Sequence, residues 1–212
     1  MRNTTRHEVA VTLYGSLTNI VGHPDTNGHV NKAREGPGFS GLYLTTSRYD
    51  AASPRFGSMA LVTMAEEATV WPRQKGGVAK FWETVASSDE FPPRGEATSP
   101  TGTVAVRAVI RPAAEVVIPF FLTWHFPTVE HWQRRKAENG AESAATWRNY
   151  YATHWSDAWD VAEHVVSNYD RLYEETRRFH DTFFASTLPS YVLDAVSSQL
   201  SVLRSTTCLR LE

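Results

Sequence analysis

The sequence predicts an α+β fold in which an antiparallel β half precedes a helical half. Three observations carry this. Short stretches of alternating or continuous apolar residues recur from Val9 to Phe126, with no helix of ordinary length between them. The longest periodic run, Asn149 to Leu188, instead repeats its apolar residues in steps of three and four. Between the two, residues 128–148 (TVEHWQRRKAENGAESAATWR) are polar and charged. They read as a linker joining a partial β-sandwich domain at 1–127 to a helical segment at 149–212.

In chain order, Val9, Val11 and Leu13 alternate with Ala10, Thr12 and Tyr14, a strand pattern. Residues 22–41 (GHPDTNGHVNKAREGPGFSG) are rich in turn-formers and read as a long loop. His23, Asp25, Asn27 and His29 in that loop resemble metal ligands in type only. The Asp-x-Asn-Gly fragment lacks the spacing and terminal Glu of a calcium loop. Gly41 to Thr46 reads as a short strand. Phe56 to Met64 (FGSMALVTM) is apolar on both faces, as a strand between two layers is. Phe81, Trp82 and Val85 form one face of a short helical turn, and FPPRGEATSPTG (91–102) is a loop. Thr103 to Ile110 alternates again. Arg111 to Ala114 reads as a hairpin loop and Glu115 to Phe126 as the return strand. Val116, Ile118, Phe120, Leu122 and Trp124 share one face of it, and Pro119 demands an edge or a bulge. Such strands make a mostly antiparallel sandwich.

In the helical half, Trp155, Trp159, Ala162, Val166, Tyr169, Tyr173, Thr176, Phe179 and Phe183 form one stripe. Ser156 is placed to cap, Asp157 and Asp160 put negative charge in the first turn, and Arg177, Arg178 and His180 lie towards the far end. The expectation is one helix over about 156–185, bent near Ser167-Asn168. Pro189 opens a second helix carrying Val192, Val196, Leu200 and Leu203, and the short connection makes an antiparallel αα-hairpin.

The chain has 212 residues, room for one large domain or two small ones. A net charge of -2 gives no basic field for nucleic acid or anionic membrane. No apolar run approaches the roughly 18 residues of a transmembrane segment, and the start has no signal-like apolar core. The single Cys208 excludes an internal disulfide and fits a reducing compartment, so the expected location is cytoplasmic. Asn3-Thr4-Thr5 matches a glycosylation acceptor, which has meaning only on a secretory route.

The residues with chemistry in them have ordinary explanations. Asp157 and Asp160, three apart, sit where a helix start favours carboxylates. Glu174 and Glu175 lie beside Arg177 and Arg178 on a solvent face, and Asp181 and Asp194 stand near the helix connection. His125, His154 and His180 have no metal-ligand spacing. Ser205 to Thr207 lack nucleophile-elbow glycines, and Cys208 has no base nearby in sequence. There is no phosphate-binding glycine loop and no cofactor motif. Trp124, Trp132, Trp147, Trp155 and Trp159 gather around the joint. They read as packing between the two halves, with a stacking surface for sugar rings as the other reading.

Five strings carry a family resemblance: FGSMALVTM, IPFFLTWHFP, NYYATHWSDAWDVAEHV, RRFHDTFFASTLPSYVLDAVSSQLSVLRS and TTCLRLE. Together, and in this order, they resemble glycoside hydrolase family 116, which includes bacterial β-glucosidases and non-lysosomal glucosylceramidases. The resemblance is most specific from Asn149 to Glu212 and looser from Met1 to about Pro100. It implies a β-sandwich domain followed by an α/α barrel of six hairpins, with the helices at 156–185 and 190–204 at the entrance to the barrel. It implies retaining hydrolysis of β-glucosides by a glutamate nucleophile and an aspartate acid/base, two carboxylates about 5–5.5 Å apart. In the family both lie in the barrel, past the point corresponding to Glu212, and no residue here matches either motif. The expectation is a fragment of such an enzyme, without catalytic, cofactor or metal residues, inactive and self-associating by itself. The alternative is a stand-alone carbohydrate-binding or interaction module.

Overall fold

The computed structural model of the chain describes residues 1–74, 76–87, 99–136 and 142–200, and the side chains of 131–136 and 142–145 are not part of that description. The turn at Asn139-Gly140, most of the 91–102 loop, Leu203, Ser205 to Thr207, Cys208 and the Trp132 side chain thus lie outside it. The fold is mixed α+β, with antiparallel sheets. Two compact units divide the chain, Met1–Glu163 and His164–Glu212.

In the first unit β1 (Val9–Thr18), β6 (Thr101–Ile110) and β5 (Ala68–Trp71) form a three-stranded sheet in the order β1-β6-β5. β2 (His29–Gly36), β3 (Phe39–Thr46), β4 (Ser58–Thr63) and β7 (Phe120–His125) form a four-stranded sheet in that order. The sheets face each other over a core of Val21, Leu42, Leu44, Met59, Leu61, Val70 and Val104. All of β4 is buried, as its two apolar faces predict. α1 (Val78–Ser87) covers the outer face of the three-stranded sheet, where Phe81 packs with Trp71 and Ala105 and meets Tyr14 edge-on at 5.7 Å.

Asn19, which is buried, and Asn31 tie the two sheets. Asn19 Nδ2 donates to Asn31 Oδ1 at 2.8 Å and to the Thr45 carbonyl at 2.9 Å. Asn31 Nδ2 donates to the carbonyls of Pro72 and Pro100, both at 2.7 Å. These carbonyls lie just past β5 and just before β6, and the Pro100 carbonyl also accepts the Asn19 N–H at 3.1 Å. Asn3 is 5% exposed, with its amide on the Ile110 and His7 carbonyls, so the acceptor-like triplet is a structural knot.

Four expectations are corrected. Residues 22–41 are not one loop: β2 and the start of β3 fall within them, joined across Gly36-Pro37-Gly38, with Gly38 at φ 76. Proline then glycine at the centre of a turn suits type II geometry, and pairing with β3 makes a strand of polar residues that carry no local strand signal. Arg111 to Ala114 is no hairpin loop, because β7 does not return beside β6. The chain crosses to the other sheet and β7 pairs with β4, Ser58 opposite His125 and Thr63 opposite Phe120. The ladder is also shorter than Glu115 to Phe126, beginning after Pro119, which has no N–H to give. Residues 128–148 are not a plain linker: β8 (Thr128–Lys136) and β9 (Glu142–Arg148) pair as a two-stranded ribbon.

The fourth correction is the long helix. It is two, α2 (Ala158–Ser167) and α3 (Tyr169–Phe184), parted at Asn168, where a bend was expected. The Asn168 amide donates to the His164 carbonyl at 2.9 Å, a local bond that competes with helix continuation. α4 (Ser190–Gln199) begins directly after Pro189 and touches α3. The division between the compact units falls inside α2.

Candidate functional site

The densest set of polar side chains lies on the outer face of the four-stranded sheet, where residues 149–163 return to cover it. The strands supply Ser58 from β4 and Thr123 and His125 from β7, all buried. The backbone N–H of Ala158 donates to Ser58 Oγ at 2.8 Å, and the Ala158 carbonyl accepts from Thr123 Oγ1 at 2.7 Å. At the other end of the seam, the Tyr151 hydroxyl donates to the Phe126 carbonyl at 2.5 Å and accepts from the Phe126 N–H at 3.0 Å. Asn149 Nδ2 donates to the same carbonyl at 2.8 Å. Residues 126–127 and 149–151 are therefore held together by hydrogen bonds.

His125 lies inside this seam, its ring edge-on to Tyr151 at 5.5 Å. Its Nε2 is buried and has no hydrogen-bond partner. Burial holds its pKa below the usual histidine value, and the Arg148 charge adds to this, against a backbone hydrogen bond at Trp155 and the charges of Asp157 and Asp160. The neutral ring is the stable form here. It packs the seam.

The carboxylates singled out in the sequence are engaged locally. Asp157, not Ser156, caps α2: its Oδ1 accepts from the N–H groups of Trp159 at 2.8 Å and Asp160 at 2.9 Å. Asp160 Oδ2 accepts from the Ser156 N–H at 2.8 Å and its hydroxyl at 3.2 Å. Both carboxylates thus satisfy backbone donors that a helix start leaves open. Asp157 also pairs with Arg34 at 3.6 Å, whose guanidinium lies 3.6 Å over the Tyr43 ring. Burial first, and the Asp157 charge second, push the Tyr43 hydroxyl pKa up. On α3, Glu175 pairs with Arg171 at 3.0 Å and Asp181 with Arg177 at 3.7 Å; Glu174 is exposed, as is Asp194 on α4. His180 is exposed against Asp181 at 3.1 Å, and His154 stacks edge-on with Tyr150.

The loop residues that resemble metal ligands are occupied by cations of the protein. Asp25 accepts from the Tyr49 hydroxyl and pairs with Arg55 at 3.1 Å and Arg48 at 3.3 Å. Asn27 Oδ1 accepts from Arg48 at 2.9 Å. The Tyr49 hydrogen bond, aided by both arginines, lowers the Asp25 pKa. His29 is held low by burial and by Arg73. Among the described residues, no three His, Cys, Asp or Glu side chains come together in a way that would hold a metal ion.

The tryptophans divide. Trp159 packs against Phe39 at 4.9 Å between ring centres, and Trp147 and Trp155 are half-buried. Trp124 is exposed; of Val116, Ile118, Phe120, Leu122 and Trp124, expected to share one face, the last three do so in the ladder. Only Phe120 of the observed strand's members in that set packs on the core, while Thr123 and His125 on the opposite face are buried. Ser58, Thr123, Tyr43 and Arg34 escaped the sequence reading. For Ser58 and Thr123 the signal was polar residues inside strands otherwise apolar enough to be buried on both sides, FGSMALVTM and FFLTWH.

Comparison with known proteins bears on what this arrangement belongs to. A search of curated proteins found no match. Among the described residues no helix is long and apolar enough to cross a membrane. Residues 1–172 match the family described as beta-glucosidase 2, glycosyl-hydrolase family 116 N-term. That match takes in every strand, the seam and the first helices, and the chain belongs to the N-terminal domain family of glycosyl-hydrolase family 116.

Proposed function

We propose that the chain is a non-catalytic N-terminal portion of a retaining β-glucosidase or glucosylceramidase-like enzyme, one whose helices α2 to α4 lead into an α/α barrel that carries the catalytic carboxylates. The observation that supports this most is where the chain's own carboxylates are used. Asp157 and Asp160 satisfy the start of α2, Asp25 is held by two arginines and a tyrosine, and those of α3 lie in solvent-exposed ion pairs or free in water. A retaining glycosidase needs two facing carboxylates, one ionised and one protonated, about 5–5.5 Å apart. In this reading the seam at Ser58, Thr123 and Ala158 fixes the start of α2 on the sandwich. The substrate of the intact enzyme is a β-glucoside, and the single Cys208 supports a cytoplasmic setting.

The test is turnover of an aryl β-glucoside by the purified 212-residue chain. No release of nitrophenol above the buffer rate is expected. Release that one carboxylate substitution abolishes would overturn the reading.

A second reading, a carbohydrate-binding module, draws on Trp82 and Trp124, which are 56% and 58% exposed. Flat exposed indoles stack on sugar rings. Titration calorimetry with cellobiose and glucose separates the two, since saturable binding by the chain alone favours the module.

A further inference from the structure

Just before β2 the chain carries an exposed asparagine followed by a glycine, Asn27-Gly28. Arg48 Nη1 donates to Asn27 Oδ1 at 2.9 Å. A guanidinium can only donate, so this contact fixes which end of the amide faces it. Oδ1 lies against the cation and Nδ2 is turned away from it. The arginine is itself braced. Its Nε lies 3.3 Å from Asp25 Oδ2, and its backbone N–H donates to Thr46 Oγ1 at 3.1 Å. Arg55 and the Tyr49 hydroxyl hold the same carboxylate.

Gly28 is the residue this turn requires. Its φ is 80, and a Cβ there would stand 2.9 Å from the Arg48 Cβ. The close approach of Arg48 that excludes a side chain also leaves the Gly28 nitrogen unhindered. The Gly28 carbonyl is held, accepting from the Ser47 N–H at 2.8 Å and the Ser47 hydroxyl at 3.3 Å. Among the described residues no hydrogen bond takes up the Gly28 N–H. The backbone nitrogen next in line after the Asn27 side chain thus has neither a side chain beside it nor a hydrogen bond to break.

We infer that Asn27 is a self-modification site, at which the Gly28 nitrogen attacks the Asn27 side-chain amide with help from Arg48. The Gly28 N–H gives its proton to hydroxide, and its nitrogen forms a bond to Asn27 Cγ. The carbonyl electron pair moves onto Oδ1. Arg48 already donates to that oxygen, so a cation faces the charge as it develops. The pair then returns, the Cγ–Nδ2 bond breaks, and Nδ2 takes a proton from water and leaves as ammonia. This closes a five-membered imide. Water opens the imide at either carbonyl, leaving aspartate or isoaspartate at position 27. The sum is one water consumed and one ammonia released, with no oxidant, reductant or metal. Nucleophile and electrophile belong to neighbouring residues, so the attack carries no cost of encounter. The new carboxylate lies beside Arg48, which then serves two. This inference stands independently of the proposed enzyme membership.

The experiment holds the folded 212-residue chain in mildly alkaline buffer and follows its peptides by mass spectrometry over time. Isoaspartate is counted by methyl transfer with an isoaspartyl methyltransferase. Conversion at Asn27 is expected, read as NH exchanged for O in its peptide, with isoaspartate among the products. R48Q should convert about fivefold more slowly, the effect of one hydrogen bond on the developing charge. R48K keeps the cation and should recover part of the rate. R55Q keeps the donor on Asn27 and should convert at the parent rate. N27Q, whose longer side chain needs a six-membered ring, should stay unchanged. Asn139-Gly140, the other such pair in the sequence, is followed in the same digests and should convert equally in all of them. An Asn27 peptide that stays unchanged overturns the inference. So does a rate in R48Q equal to or above that of the parent. Equal slowing in R48Q and R55Q also overturns it, since that gives the effect to the whole cluster rather than to the Arg48 donor.

Discussion

The backbone N–H of Ala158 donates to Ser58 Oγ at 2.8 Å across 100 residues of sequence. Asp157 takes the next two N–H groups of the same helix start, those of Trp159 and Asp160. The first turn of α2 therefore has its donors satisfied by two different sources, a strand hydroxyl from below and its own cap from the side. Ala158 is fully buried and could not turn to water for a substitute.

Ser58→Ala leaves the Ala158 N–H buried and unpaired. An unsatisfied buried donor costs about 1–3 kcal/mol, and a loss of that size is expected in urea unfolding. Thr123→Val removes the bond to the Ala158 carbonyl and costs less, because valine keeps the shape and the second lone pair of a carbonyl tolerates neglect better than an N–H does. The two changes share one residue and should not add. An additive double variant would show that the bonds act separately.

Acid should loosen the same unit, and His125 sets the sign. Its pKa in the folded chain lies below the ordinary value because the ring is buried. As pH falls through about 6.5, the unfolded chain takes a proton on this ring while the folded chain resists it. Stability is therefore full above that pH and declines as pH drops towards the lowered folded value. His29 shifts in the same direction and adds to the decline. H125F should flatten part of the slope in unfolding free energy between pH 7.5 and 5.5. An unchanged slope would show that the seam histidine is not the responsible group.

How far the fold was readable follows from where each signal resides. β1, β4 and β6 are visible in the sequence because their apolar residues alternate or run continuously, and burial by neighbouring layers demands that pattern. β2 is not visible. His29 to Gly36 is polar, and its strand state comes from pairing with β3, a non-local gain. β7 was found but given the wrong neighbour. Counting apolar residues puts Leu122 and Trp124 inside, and they do point there, but coverage depends on how many strands the opposite sheet has. Local turn chemistry misled in the same place. Ala113 has a φ of 61 and turns the chain, yet the turn leads across to the other sheet. The seam was half visible: the carboxylates at the start of α2 were read correctly as helix-start residues, while their strand-side counterpart Ser58 lies too far away in sequence for any periodicity to reveal.

Asn31 offers a test of how the sheets are held together. Its amide serves the Pro72 and Pro100 carbonyls, and its Oδ1 accepts from Asn19. Asn31→Ala takes a donor from the Pro72 carbonyl and an acceptor from the Asn19 amide, while the Pro100 carbonyl keeps the Asn19 N–H. A loss of about 1–3 kcal/mol is expected in chemical unfolding, the cost of polar groups left without a partner. Asn31→Asp should be at least as harmful, because a carboxylate has no N–H for either carbonyl. If alanine is tolerated within 0.5 kcal/mol or so, the size of an ordinary surface change, the asparagine does not tie the sheets.

The helical unit should make the isolated chain associate. α3 has no buried residue, and Tyr173 and Phe179 on it are 52% and 57% exposed. Phe184, Leu188, Tyr191 and Val196 are also exposed, the last two on α4. Val165, Leu172 and Val192 are half-buried. Continuous apolar surface beyond a few hundred Å² promotes association. Surface charge on α3 does little against it, since Arg171 with Glu175 and Arg177 with Asp181 form intrahelical pairs. Size-exclusion chromatography with light scattering is expected to show mass rising with concentration and little affected by salt, as apolar contact dictates. F179E/Y191E should return the chain to a monomer while leaving the unfolding midpoint of the sheet unit within about 0.5 kcal/mol, the range of exposed substitutions. L122T/W124T should leave this association unchanged, because those residues lie on the sandwich. A chain that stays monomeric at high concentration would show that the exposed aromatics of α3 and α4 drive no contact.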